Sequence, residues 1–350
     1  MNFPVTNRLA TLGVIVLLSG LGEIAAQSVD QIQTTSGSRL EGSVTAVTPV
    51  EVTIDVRGSK RGVPVNEIKY VAFADDPPEL KAGRNRILAG KFATGLADLK
   101  KINPADVQGE LVKRDLQFYL ALATSELALS AGGDKTQASA AMLAFVRAAP
   151  NSYHFFDAAQ MLGDLALAQQ DAAGAARYYG AISSKAPWPE YKMAALMSEA
   201  RALISQGEFA AAQKKYESVL SAKSDTKESR RQKLFAQIGR GRCLAETSAP
   251  QEGIDLIEEV IAKNDPADSE LFGRAYNALG DCLLKAGKTK DALMAYLHVD
   301  VLFYSDPEIH AESLYYLTKL WSATKNNDRS IAARKMLDDR YAGSIWASKP

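Results

Sequence analysis

The run Ala286–Thr289 contains Gly-Lys-Thr, the ending of a loop that binds nucleotide phosphates through backbone amides and a lysine. That loop also needs a glycine five residues before Gly287 and a β-strand leading into it. Cys282 stands at the required position, and the residues before it follow a helical period. We therefore interpret the run as a turn between two helices, and the sequence predicts no nucleotide or other cofactor.

The histidines and cysteines are not arranged as metal ligands. His154, His298 and His310 lie on different predicted helices, and no two of them have the four-residue spacing of helical zinc ligands. Cys243 and Cys282 each follow a small residue by two positions, so they occupy equivalent places on neighbouring helices. Helix axes lie about 8–10 Å apart, whereas a disulfide needs Cα atoms within about 7 Å. We expect two free, buried thiols and no metal site.

Other catalytic and charge patterns are also missing from the sequence. There is no Gly-x-Ser-x-Gly elbow for a serine nucleophile, and the carboxylates are not paired in an acid–base layout. The 41 basic and 41 acidic residues balance, which argues against a nucleic-acid surface built on bulk charge. We expect a protein that is not an enzyme and does not bind nucleic acid.

A repeat organises most of the chain. Leu279–Asp281, with the sequence Leu-Gly-Asp, recurs 117 residues earlier as Leu162–Asp164. The small, aromatic and branched residues that follow each glycine are Ala175, Tyr179 and Ile182 in one copy and Ala292, Tyr296 and Val299 in the other. Because 117 is three times 39, two further copies are expected between them, and they are found at Ala200 and Gly241. A period of this length with one helical pair per repeat is typical of a solenoid.

The small residue of each copy predicts a place where two helices touch. Glycine in an exposed helix costs about 1 kcal/mol relative to alanine, so glycines at one phase indicate a contact that excludes a side chain. When the copies are aligned on this small residue, the sequence contains an incomplete unit at residues 79–103 and then six helical pairs. The register residues are Glu126, Gly163, Ala200, Gly241, Gly280 and Leu320. After the last pair, Tyr341 and Trp346 are expected to cover the end of the core.

These units resemble tetratricopeptide repeats. The similarity consists of the small residue, a turn glycine (Gly207, Gly287), a second small residue twelve positions after the first, an aromatic residue and a proline near the end. It covers roughly residues 115–346, although each unit exceeds the family's length of about 34 residues. The resemblance implies a mainly α fold, with a right-handed α-solenoid of helix-turn-helix repeats over residues 79–350. About six repeats and a partial first unit are expected there.

The resemblance also implies a groove. In the resembled family the first helix of each unit lines the inner surface, at positions three before and one after the small residue. Carried over to this chain, the partner-binding residues are Gln160, Asp164, Arg201, Arg242, Asn277 and Asp281. Arg201 and Arg242 would be neighbours and could form a clamp for a carboxylate or an acidic peptide. The alternative is a solvated face on which the two arginines pair with Asp164 and Asp281.

Residues 27–76 follow a different pattern. Apolar and polar residues alternate between positions 35 and 74, and turn signals separate four or five short runs. This stretch resembles small Sm-like or SH3-like barrels, so we expect a small, barrel-like β module. Such a module buries little apolar surface and should lean on the helical domain or on a partner. The prolines of Asp75–Pro78 place the domain boundary there.

The N-terminus has the layout of a secretory signal. Arg8 precedes an apolar run from Leu9 to Leu21, and the small residues Ala25 and Ala26 follow. The run is shorter than the roughly 20 residues that span a bilayer. We expect residues 1–26 to be a signal peptide that is cleaved after Ala26, which leaves no integral membrane segment.

These expectations combine into one function and one alternative. The chain is expected to be an exported bacterial protein, periplasmic or extracellular, that binds a protein or peptide in its solenoid groove. Such a scaffold would act in envelope assembly or maintenance. The alternative is a β module that binds a ligand or glycan and is carried on a helical spacer or oligomerisation domain. Self-association is left open.

Overall fold

The computed structural model describes residues 29–350, which begin with a small antiparallel sheet. Its strands are β1 (Asp30–Thr34), β2 (Arg39–Val47), β3 (Glu51–Val56), β4 (Ser59–Pro64) and β5 (Ile68–Ala72). Their order across the sheet is β4-β3-β2-β1-β5. The small β module is confirmed, but its sheet is open and not a closed barrel, because β4 and β5 form its two opposite edges. The predicted signal peptide, residues 1–26, lies outside the described residues.

Fourteen α-helices follow in the described part of the chain, and they form consecutive antiparallel pairs. The short helices α1 (Pro78–Leu88) and α2 (Phe92–Leu99) form the partial unit. The full pairs are α3 (Glu110–Ser130) with α4 (Lys135–Ala148), α5 (Phe155–Ala168) with α6 (Ala172–Lys185), α7 (Pro189–Ser205) with α8 (Phe209–Leu220), α9 (Lys227–Glu246) with α10 (Pro250–Lys263), α11 (Ser269–Lys285) with α12 (Thr289–Leu302), and α13 (Pro307–Ala323) with α14 (Asn327–Arg340). The predicted mainly α solenoid is confirmed. Over residues 29–350, no helix combines the length and the apolar character that a membrane crossing requires.

A left-handed residue in the turn between paired helices gives the register of each unit. The predicted turn glycines, Gly207 and Gly287, have φ of 78° and 74°. Gln170, Ser248 and Lys325 occupy the equivalent turns, also with positive φ. In the four middle pairs the predicted small residue lies seven positions before this turn residue, as the repeat pattern requires.

Counting seven residues back from Gly132 (φ 76°) and from Lys325 corrects the register of the first and last pairs. It places Ser125 and Thr318 at the contact position, so the assignments of Glu126 and Leu320 were wrong by one and two residues. Ser125 is completely buried, and the carbonyl of Thr318 accepts a hydrogen bond (2.7 Å) from Ser330 Oγ on the facing helix. Neither pair has a glycine or alanine at this position, and the sequence pattern was therefore misleading there.

In the middle pairs the helices touch where the small residue lies. A Cβ atom added to Gly280 would be 2.6 Å from the Tyr296 ring, and one added to Gly241 would be 2.9 Å from the Ile257 side chain. A Cβ at Gly163 would overlap the Tyr179 ring in the same way. The predicted close contact is confirmed, because no side chain fits at these sites.

The sheet is joined to the helices by a continuous apolar core that runs from β1 to α5 and by a buried ionic cluster. Arg84 of α1 donates to the Val71 carbonyl on β5 (2.7 Å) and to Asp115 Oδ2 on α3 (2.8 Å). Its other terminal nitrogen pairs with Asp76. Oδ1 of Asp115 accepts from the Tyr153 hydroxyl (2.7 Å) and lies 2.8 Å from His154 Nε2. The module therefore leans on the helical domain, as predicted from its small size.

We expect Gly280→Leu to destabilise the protein by about 1–3 kcal/mol or more, because the new side chain must displace the Tyr296 ring. Chemical denaturation followed by circular dichroism measures the change. Gly180→Ala is the matched control, since a Cβ there meets nothing within 4 Å and alanine favours the helix by up to about 1 kcal/mol. An unchanged midpoint for Gly280→Leu would contradict the helix contact.

We expect Arg84→Met to lower the free energy of unfolding by about 3–5 kcal/mol, because it leaves buried carboxylates without their cation. Burial raises the pKa of Asp76 to about 6 even beside Arg84. Below that pH the carboxyl is neutral and does not need the guanidinium, so the deficit should grow as the pH rises through about 6.

Denaturation of both proteins between pH 4 and 8 tests this pH dependence. The control is Arg86→Met on the same helix: Arg86 is half-exposed, and its partner Asp98 keeps a second cation in Lys101 (2.9 Å), so the loss should cost about 0–1 kcal/mol. A deficit for Arg84→Met that is independent of pH, or equal to that of the control, would contradict the role given to the cluster.

Candidate functional site

The first helix of each pair lies on the inner side of the solenoid. Successive first helices contact one another, from α3 on α5 to α11 on α13, whereas the second helices mainly contact the first helices that flank them. A stack that is tighter on one side than on the other must curve toward the tighter side. The first helices therefore line a concave groove.

One position of these helices forms a row of charged side chains, which we call the inner row. It is the position directly after the small residue. Its members are Glu126, Asp164, Arg201, Arg242, Asp281 and Lys319. The middle four were predicted from the sequence, and the two outer ones were missed because the register of the first and last pairs was wrong.

Asp164 is the centre of a hydrogen-bonded cluster near the start of the groove. It accepts from the Tyr179 hydroxyl (2.8 Å), and both its oxygens lie 3.1 Å from Gln160 Nε2. Arg201 Nη2 lies 3.5 Å from Asp164 and donates to Ser198 Oγ (3.1 Å). Three of the predicted groove residues, Gln160, Asp164 and Arg201, are thus brought together.

A second cluster contains the other three predicted residues. Arg242 pairs with Asp281 and, at 2.6 Å, with Glu312 Oε1 of α13. Asn277 Nδ2 donates to Glu312 Oε2 (3.1 Å) and to a backbone carbonyl of α13 (2.8 Å). The Tyr296 hydroxyl donates to Asp281 Oδ1 (2.6 Å). Each of these side chains contacts a neighbour on another helix, although Asn277 Oδ1 has no hydrogen-bond partner among residues 29–350.

Both arginines already have carboxylate partners within the chain. Arg201 and Arg242 pair with Asp164 and Asp281, as the alternative interpretation of the sequence proposed. Glu308 lies one helical turn before Glu312 on α13, and its negative charge also acts on Arg201. Burial lowers the pKa of Arg201, but the carboxylates of Asp164 and Glu308 raise it above the usual range. A role of the two arginines in binding a partner stays a prediction.

Sequence reasoning missed Glu312 and the tyrosine hydroxyls. The signal for Glu312 is the acidic pair Glu308 and Glu312, which share one face of α13. Tyr179 and Tyr296 were interpreted only as core residues, and their rings are fully buried. Their hydroxyls nevertheless reach the inner row. Each ring packs over the glycine of the first helix, where no side chain blocks it, and its hydroxyl extends past the glycine to the aspartate that follows.

The last ten residues, 341–350, fold back onto the groove, and we call them the C-terminal strap. Trp346 is only 7% exposed and packs against Tyr315 and Tyr316 of α13, with ring centroids 5.5 and 5.8 Å apart. Arg334 of α14 donates to the backbone carbonyls of Ala347 (2.9 Å) and Lys349 (3.0 Å). The expected cover over the last core is confirmed for Trp346.

The two cysteines belong to the core. Cys243 and Cys282 are free and completely buried, as predicted, and the Cys282 thiol lies 3.5 Å from the Gly241 carbonyl, to which it donates. Burial raises the pKa of both thiols to about 12, so they are protonated at neutral pH. Among residues 29–350, no group of three His, Cys, Asp or Glu side chains is placed to hold a metal ion.

Comparisons with known proteins agree with this geometry. A family model described as a tetratricopeptide repeat matches residues 197–269, which include the units around Ala200 and Gly241. No curated protein matches the chain.

Among solved structures, a tetratricopeptide repeat protein from Parabacteroides merdae ATCC 43184 aligns with a TM-score of 0.54 and 14% identity, over 75% of this chain and 91% of that chain. NprR in complex with its cognate peptide NprX aligns with a TM-score of 0.48 and 11% identity, over 75% of this chain and 77% of that chain. The first likeness shows a tetratricopeptide-type fold, and the second is too distant to carry an inference.

We expect Tyr296→Phe to lower the free energy of unfolding by about 1.5–3 kcal/mol, because it removes a hydrogen bond to the carboxylate of Asp281. Tyr216→Phe is the matched control. Tyr216 has the same phase and is also buried, but its hydroxyl makes no hydrogen bond to the rest of residues 29–350. Its loss should cost less than about 0.5 kcal/mol. Equal losses in denaturation experiments would show that Asp281 does not depend on the tyrosine.

Proposed function

We propose that this protein is an exported, non-enzymatic scaffold that binds a segment of another protein in the groove lined by its first helices. The observation that carries the proposal is the inner row, in which the first helices of six successive pairs each present a charged residue at the same position. Neighbouring side chains hold its four middle members in place. Polar groups that are already oriented lose little entropy on binding and favour a matching partner.

The charges of the inner row suggest what the partner must offer. Glu126 and Asp164 are adjacent acidic members, and burial together with Asp164 raises the pKa of Glu126. Basic and acidic members then follow toward Lys319 at the other end. A partner segment that lies along the groove needs a complementary sequence of charges, which provides specificity more than affinity.

The structure also offers a place for the alternative function, in which the β module binds a ligand. A cleft of about 230 Å³ lies between β2 and the helices, lined by Thr45, Arg114, Asn151 and Ser152 among others. Deleting residues 27–76 cannot separate the two functions, because it would uncover the shared core and Arg84. Arg114→Glu is a milder change, since Arg114 forms only a surface ion pair with Glu110 (3.1 Å).

A photo-crosslinking side chain in place of Met197 tests the groove. Met197 lies three residues before Ala200, on the inner face, whereas Met294 is 54% exposed on α12 and provides the control position. We expect a crosslinked partner from Met197 and none from Met294. The Met197 product should decrease in Lys319→Glu and persist in Arg114→Glu. The reverse dependence would favour the cleft of the β module and overturn the groove.

Export is tested by the N-terminus of the mature chain. We expect N-terminal sequencing of the protein from fractionated cells to begin at Gln27, because the small residues Ala25 and Ala26 favour cleavage there. The protein should appear in the periplasmic or extracellular fraction. A chain that retains Arg8 and stays in the cytoplasm would contradict the export part of the proposal.

A further inference from the structure

The C-terminal strap lies on the inner side of α13, where Arg334 of α14 also reaches it. We propose that the strap is a built-in occupant of the binding groove, and that the partner is a segment with a large aromatic side chain followed by non-helical main chain, which displaces it. This inference rests on the proposed function and specifies which end of the groove the partner enters.

The first feature of this site is an aromatic seat. Tyr315 and Tyr316 are consecutive residues on the inner side of α13, and both rings contact Trp346 of the strap. Tyr316 also stacks on Tyr296, with centroids 4.8 Å apart and planes inclined by 12°, and Tyr296 is held by Asp281. The seat is therefore rigid and connected to the inner row, and any large aromatic side chain of suitable size can use it.

The second feature is a group that binds main chain. Arg334 stands at the position where other pairs have Tyr179 and Tyr296, so its guanidinium reaches the groove as their hydroxyls do. It donates to two carbonyls of the strap, at Ala347 and Lys349. Carbonyls are free for such bonds only in a segment that is not helical at that point, and any sequence supplies them.

The third feature is the partly buried ammonium of Lys349. The Lys349 ammonium lies 3.7 Å from the centroid of the Trp346 ring. Burial lowers the pKa of Lys349, and the nearby cations Arg242 and Lys319 lower it further, although Glu312 and Asp281 act in the opposite direction. The contact between the ammonium and the rings stabilises the strap, and the cost of burying the ammonium offsets part of that gain.

The strap also closes the solenoid on itself. Gly343 packs directly on the backbone of Ala131 and Gly132, in the turn between α3 and α4, and an added Cβ would overlap that turn. The last pair is thus linked to the first full pair through a contact between glycine-containing segments. Release of Trp346 would free this link, so entry of a partner and opening of the solenoid are coupled.

The test uses the full chain and a fluorescent peptide with the sequence of residues 341–350. We expect the peptide to bind Trp346→Ala about tenfold or more tightly than the wild type, because the wild-type site is occupied by its own strap for most of the time. Trp346→Leu, which keeps an apolar cover over the core, should behave in the same way. Ile345→Ala is the control, since Ile345 belongs to the strap but is 41% exposed.

A peptide in which alanine replaces the tryptophan should bind none of these proteins. Adding Arg334→Gln to Trp346→Leu should abolish peptide binding while circular dichroism shows a folded chain. Equal binding to wild type and Trp346→Leu, or binding to neither, would overturn the inference. The crosslink from Met197 would then still report on the proposed function by itself, because Met197 belongs to α7, three helix pairs before the pair that holds Trp346.

Discussion

The solenoid depends on one close contact in each helix pair, where a first helix without a side chain, or with a very small one, receives a large side chain from the second. At Gly163 and Gly280 the incoming group is a tyrosine ring, and at Gly241 it is Ile257. The same contact determines what reaches the groove. A tyrosine that crosses the glycine carries its hydroxyl to the acidic residue of the inner row.

The exceptions to this rule explain the rest of the groove. Ile257 has no hydroxyl, and in that pair the inner row has Arg242, which turns to Asp281 and Glu312 instead. In the last pair Arg334 replaces the tyrosine, and its guanidinium binds the C-terminal strap. The polar lining of the groove and the spacing of the helices are therefore consequences of the same packing position.

A solenoid has two ends that must be covered, and this chain covers them in different ways. The β-sheet covers the first end through a shared apolar core and the buried cluster of Arg84, Asp76 and Asp115. Burying charges is expensive, but directional bonds to a carbonyl of β5 fix the orientation of the sheet in a way that apolar contacts cannot. Trp346 covers the last pair, and because it sits on the groove side, the second cover also occupies the surface that we propose as the binding site.

The sequence alone determined the helix pairs, the small residue at their contact, the buried thiols and the four central members of the inner row. Each of these follows from the local period of the chain and from the volume available at a single contact. The sequence did not reveal that Ser125 and Thr318 take the place of glycine, that the sheet stays open, or that Arg242 bonds to a residue 70 positions away. Only the tertiary structure decided these points, because small rotations between successive pairs add up along the stack and set which distant side chains meet.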